Sequence, residues 1–183
     1  REVLGLKAPP MLYIAGRPEL MRQSAIAILG ALSAKGDVEQ RVRQLAREAT
    51  EAGHVILTDG QNGLGHIALD EAMSCGGRAI LVLGGAMAET LRNRPEIANL
   101  VRERRALLVS QFHPDAPHTP SHAQLISKCL YALSEAAFVF ACDEDKGSTW
   151  AGAVEALRSK WCRFVYALDT DLYSGNRPLI ARG

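Results

Sequence analysis

Only four cysteines occur in the 183 residues, Cys75, Cys129, Cys142 and Cys162, and no two of them form a C-x-x-C pair. That spacing excludes a zinc ribbon, a dithiol redox motif and a disulfide scaffold, and fits thiols kept reduced in a cytoplasmic protein. Aromatic residues are scarce, at 5%. No apolar run approaches the roughly 20 residues of a membrane-spanning helix, and no basic, apolar leader opens the sequence, so a cytoplasmic location without a membrane partner is expected. Excess charge is missing too. Lys and Arg total 21 against 20 Asp and Glu, a net charge of +1, so a phosphate-bearing ligand must be met by a local site rather than by a broad basic face.

Familiar catalytic and cofactor motifs are also lacking. Gly60-x-x-Gly63-x-Gly65 departs from the dinucleotide fingerprint and follows the second strand of the alternating pattern rather than the first, which argues against a nicotinamide or flavin enzyme. Lys146 precedes Gly147-Ser148-Thr149, the reverse of a Walker order. With no Gly-x-Ser-x-Gly elbow present, no catalytic residue, cofactor or metal is assigned.

What the chain does hold is a regular alternation of short apolar runs and helix-patterned segments, the pattern of βαβ units. Strands are predicted at Ala25–Leu29, Val55–Thr58, Ala79–Leu83, Leu107–Val109, Phe138–Ala141 and Phe164–Ala167, with a short extra strand at Leu12–Ile14. Val38, Val42, Leu45, Ala46 and Ala49 recur at helical spacing before Gly53, and further helices are predicted at Ile67–Cys75, Ile97–Arg104, His122–Glu135 and Thr149–Lys160. The expected architecture is an α/β, extended Rossmann-like fold: one domain over 1–183, a mainly parallel sheet with helices on both faces, and a lead-in segment over 1–24. Whether flanking domains adjoin it is left open by the sequence.

Several segments resemble the DprA/Smf family of DNA-processing proteins, within the lysine-decarboxylase-like (SLOG) superfamily. They are the lead-in Pro9 to Gly16 with Pro18 to Met21, Ala25 to Gly30, the Asp59 to Ala68 loop, Ala72 to Gly77, Ala79 to Gly85, Leu107 to Phe112 with Pro114, Leu133 to Ala136, Gly147 to Ala153, and Gly175-Asn176 with Leu179-Ile180. The resemblance spans nearly the whole chain. It implies an extended Rossmann domain that binds single-stranded DNA without catalysis, self-associates as a homodimer and works with a recombinase in DNA uptake and recombination.

Two departures matter. The family's Gly-Ser-Arg after the first strand reads Gly30-Ala31-Leu32 here, and its Arg-Asn-Arg motif falls on Leu125, Ile126, Ser127 and Lys128. Each charge-assisted bond lost is expected to weaken a DNA contact by about 1.5–3 kcal/mol. The alternatives are therefore a sensor of a nucleotide-derived small ligand and, third, a nucleoside-monophosphate phosphoribohydrolase. In the related hydrolases a glutamate follows the Gly-Thr motif by three residues, and here that position is Gly152, so Asp143, Glu144, Asp145 or Glu155 would have to supply the acid or base.

Loops after the first, second and fifth parallel strands should meet at one sheet edge. The phosphate or nucleic-acid site is accordingly expected to comprise Gly30, Gly60, Gln61, Asn62, Gly63, His66, Lys128, Lys146, Gly147, Ser148 and Thr149. Glycines there allow close backbone approach, and helix N-terminal amides and hydroxyls donate to phosphate. Other features have plainer readings. His113, His118 and His122 sit among Pro114, Pro117 and Pro120 as surface groups of an irregular crossover; Arg92, Arg94, Arg102, Arg104 and Arg105 alternate with glutamates on a solvated helix face; Trp150 and Trp161 pack into the core or a dimer seam.

Overall fold

Apolar runs too short for helices and bounded by turn residues pair side by side into one sheet in the computed structural model, which describes residues 3–30, 36–61 and 63–183. The strands are β1 (Tyr13–Gly16), β2 (Ala25–Gly30), β3 (Val55–Thr58), β4 (Ala79–Leu83), β5 (Ala106–Ser110), β6 (Ala136–Ala141) and β7 (Phe164–Ala167). Their spatial order is β1-β5-β4-β3-β2-β6-β7, with β1 antiparallel to β5 and every other pair parallel. The chain thus carries a Rossmann-like, mostly parallel sheet. Sequence and structure agree on β3, β4 and β7 residue for residue. The lead-in strand begins at Tyr13 rather than Leu12, because pairing runs from Tyr13 opposite Ser110 to Gly16 opposite Leu107. Gly16 has φ +115°, and a side chain there would collide with the Ala106 carbonyl, so only glycine lets the edge strand approach.

Side chains alternate along each strand and so serve two layers. On one side Ala27 and Leu29 of β2 meet α5 (Ala123–Leu133) and α6 (Gly147–Ser159) through Ile126, Leu130 and Ala153. On the other, Ile26 and Ile28 meet α1 (Val38–Glu51) and α2 (Leu64–Ser74) through Val42, Ala46 and Ala68. Farther along that second face, Leu81 and Leu108 cover Met87 of α3 (Met87–Asn93) and Ile97 of α4 (Pro95–Arg102). The buried Glu71 of α2 joins α1 through Arg47 at 2.6 Å and Arg43 at 3.6 Å, and the bond from Arg47 holds its carboxyl below the usual range.

Two helices lack any expectation from the sequence. α3 is too short for a periodic signal, and α7 (Asn176–Ile180) carries Pro178 in its first turn, where the missing N–H costs nothing.

Winding runs from β2 through β3 and β4 to β5, then reverses, and β6 returns to the opposite flank of β2. The reversal opens a crevice at the carboxyl ends of β2 and β6. Its β6 side is fixed by Asn176, which is fully buried: its Oδ1 accepts the Cys142 N–H at 3.0 Å, while its Nδ2 donates to the carbonyls of Phe140 at 3.0 Å and Leu168 at 2.9 Å. Asn176→Ala leaves all three backbone groups unpaired in the interior. It is expected to lower unfolding stability by about 3 kcal/mol, read as a lower midpoint with unchanged m-value in urea denaturation.

Candidate functional site

The crevice at the winding reversal has a volume of about 560 Å³. A register shift between Leu29 and Gly30 sets Gly30 opposite Ala141 and turns both strand ends toward it. Gly30 is needed for packing as well as for space, since a Cβ there would lie 2.5 Å from the Leu64 side chain. Ile126, Ser127 and Leu130 of α5 form one wall, and Lys146 to Thr149 form another.

The second wall is the N-terminus of a thirteen-residue helix, and no side chain caps it. Its first-turn amides have no partners within the helix and carry the positive end of the macrodipole. Gly147 has φ +72°, and a Cβ built on it meets nothing within 4 Å among the described residues. Together with the hydroxyls of Ser148 and Thr149 and the ammonium of Lys146, this is an anion-binding arrangement.

The facing loop behaves differently. Asp59, also lining the crevice, accepts the Gln61 N–H through Oδ1 at 3.1 Å. A side chain on Gly65 would collide with Thr58 Oγ1 and lie 2.5 Å from that same carboxylate oxygen. Gly65 therefore lets the first turn of α2 settle on the Asp59 carboxylate, and this helix end already faces an anion of the chain itself. Gly63, φ +97°, caps α2. Gly60, φ +64°, is held from outside by Arg94, whose Nη1 donates to its carbonyl at 2.9 Å.

Of the residues expected at the site, Gly30, Gln61, Lys146, Gly147, Ser148 and Thr149 come together around the crevice. Gly60 faces an adjoining cavity, which Gln61 also lines. His66 lies along α2 with Nε2 3.3 Å from Asp70, outside the crevice lining. Lys128 places its ammonium 5.6 Å from the Trp161 ring centroid, also outside that lining. Asn62 and Leu32 lie outside the described residues. Trp150 and Trp161 are both buried; Trp150 donates Nε1 to Asp145 at 3.1 Å just before α6. The three histidines diverge: His113 packs edge-on against Tyr13, His122 stacks on Phe112 and contacts the Gly84 carbonyl at 2.6 Å, and His118 enters the crevice wall 3.5 Å from Gln61. Among the described residues no group of three or more His, Cys, Asp and Glu is placed to hold a metal ion, and no helix is long and apolar enough to cross a membrane.

Sequence reasoning left Asp59 out of the site and read His118 as a surface group of the crossover and Arg94 as part of a solvated helix face. Asp59 stood beside a glycine loop, and its inward direction depends on Gly65. Arg94 belonged to a mixed-charge stretch, yet it bonds Gly60 across 34 positions. Cys142, on the crevice floor, is no nucleophile: burial, reinforced by Asp143, pushes its thiol up to about 12.

Burial also raises the Asp59 carboxyl above the ordinary aspartate range, against the lowering effect of the Gln61 N–H and the nearby His118. A raised folded-state pKa means that the native protein binds the extra proton, so stability and anion affinity both increase as pH falls through that titration. Asp59→Asn is expected to tighten binding of a labelled phosphate-bearing probe at neutral pH by roughly tenfold, about 1.4 kcal/mol for removing a charge across the crevice. Anisotropy titrations across pH check this: the variant should lose the part of the acid-side increase that belongs to the carboxyl.

Comparison of the sequence with curated proteins gave no match. Among solved structures, DNA processing protein A from Helicobacter pylori, described for its mode of binding single-stranded DNA, is 22% identical; the match covers 96% of this chain and 80% of that one, with a TM-score of 0.80. DNA processing protein A from Streptococcus pneumoniae is 19% identical over 97% of this chain, with a TM-score of 0.81, and the match spans 62% of its length. A molybdenum cofactor binding protein from Rippkaea orientalis shares the fold at 18% identity, a TM-score of 0.61 and coverage of 88% and 84%. The profile of DNA recombination-mediator protein A matches residues 3–183, and the chain belongs to that family.

Proposed function

We infer that the crevice binds single-stranded DNA through a phosphate, without catalysis, as part of DNA processing in recombination. The observation that carries this reading is the uncapped N-terminus of α6, opened by Gly147 onto a crevice at the winding reversal. Family membership and the DNA-binding relative from H. pylori support the same ligand.

The absence of chemistry is supported by how the nearby acids are used. A side chain at Gly152 would collide with Ser127 Oγ, so the position that holds glutamate in related hydrolases has no room for one. Asp145 accepts the Trp150 indole, Asp143 accepts the Ser174 hydroxyl at 3.3 Å, and Glu155 pairs with Lys7 at 3.0 Å. The runner-up ligand is a free nucleotide, favoured by one observation: the crevice is small, and among its described lining residues Lys146 is the one ammonium, beside the carboxylates of Asp59 and Asp143.

Self-association as a homodimer belongs to the same reading, with a recombinase as the onward partner. It is supported by the edge strand β7, where Phe164 and Tyr166 are exposed and stack in line with Phe138, and by the exposed Ile180 of neighbouring α7. Exposed aromatic rows on an unpaired edge favour association.

Gly147→Asp puts a carboxylate into the open space before α6, and an aspartate tolerates positive φ at a cost of about 1 kcal/mol. The variant should stay folded by circular dichroism and lose at least about tenfold in affinity for a labelled oligothymidylate at low salt; unchanged affinity moves the site elsewhere. Tyr166→Glu should shift the sedimentation coefficient from dimer to monomer at micromolar protein.

A further inference from the structure

Beside the first crevice lies a second cavity of about 630 Å³, over the carboxyl ends of β3 and β4. The two share Asp59, Gln61 and His118. The partition between them is thus made of side chains, and the His118 ring lies so close over Gly84 that a Cβ there would be 2.9 Å from its Nδ1. The far wall is Thr90 of α3 with the half-buried Arg94.

Arg94 is fixed from two directions. Its Nη1 donates to the Gly60 carbonyl at 2.9 Å and its Nε to Glu96 at 2.9 Å, and among the described residues Nη2 takes no further hydrogen bond. Held this way, the guanidinium has little rotamer freedom left to lose on meeting an oxyanion.

The backbone of the cavity wall is also under constraint. Ala86 adopts φ +53° without being glycine, at a cost of about 1 kcal/mol, and its N–H bonds the Ala116 carbonyl at 2.5 Å. Gly85, φ +119°, leaves no room for a side chain, since a Cβ would lie 2.7 Å from the Ala116 carbonyl and 2.8 Å from that of Pro117. Strain of this kind gathers where a chain is bent to shape a site.

We propose that the second cavity is a binding subsite for a further nucleotide unit of the strand whose phosphate rests on α6, with Arg94 meeting a later phosphodiester of that strand. The proposal depends on the reading of the first crevice. Among the described lining residues Lys146 is the one cation beside the carboxylates of the first crevice, whereas a strand running along the sheet edge from β6 over β2 and β3 to β4 meets Lys146 at one end and the Arg94 guanidinium at the other.

The test is competition by 5′-phosphorylated thymidine mono-, di- and trinucleotides against a labelled oligothymidylate, using the full chain and two variants. Thr90→Trp fills the second cavity, and Arg94→Lys keeps a charge but loses the fork; both are checked for folding by thermal melting. In the wild type, affinity should rise by about tenfold from mono- to trinucleotide, as for one added charge-assisted contact. Thr90→Trp should bind the mononucleotide as wild type does and lose that rise, and Arg94→Lys should lose most of it. A rise of equal size in wild type and Thr90→Trp, or no rise in wild type beside good mononucleotide binding, overturns the second subsite and leaves the first standing. If no competitor binds and Gly147→Asp behaves as wild type, the first crevice fails and the subsite fails with it.

Discussion

Everything at the site depends on the parallel pairing of β2 with β6. Strands added on one side of β2 carry the chain away through β3, β4 and β5, and the return to the other side leaves two helices diverging above one seam. A gap at that seam follows from the winding, because α2 and α6 lie on opposite faces of the sheet and diverge over the strand ends. Asn176 keeps the seam in register by taking the last hydrogen bonds of β6 into a side-chain amide. The register shift at Gly30 completes the opening.

Electrostatics then divides the two helix ends that reach the seam. α2 presses on a carboxylate that is tied to its own loop, and the cost appears as a carboxyl reluctant to ionise. α6 has no side-chain cap among the described residues. One positive end faces a carboxylate of the chain and the other does not, a local asymmetry that the near-zero net charge of the chain conceals. An affinity built from few charges should fall gently with salt compared with proteins that neutralise many phosphates.

Much of this was legible in the sequence, and for identifiable reasons. Strands such as Val55–Thr58 and Ala79–Leu83 are continuous apolar runs because both faces are covered, and Gly147-Ser148-Thr149 marked a helix start by local chemistry alone. The rest depends on contacts between distant positions. Asp59 acquires its role from Gly65 pressing α2 upon it, Arg94 from the Gly60 carbonyl, and His118 from a crossover whose prolines signalled only irregularity. Lys128 illustrates the reverse: its placement near a motif position suggested phosphate, while the fold turns it toward the Trp161 ring. Periodicity could not disclose α3 and α7, each of which completes fewer than two full turns.

The contact between Gly152 and Ser127 has an evolutionary reading. Helices α5 and α6 cross so closely there that the hydroxyl occupies the volume a larger residue would need. Acquiring a carboxylate at position 152 would first require Ser127 to shrink or the helices to separate. A glutamate at 152 and a serine at 127 are thus mutually exclusive in this packing, so the two positions constrain each other's identity across the helix crossing.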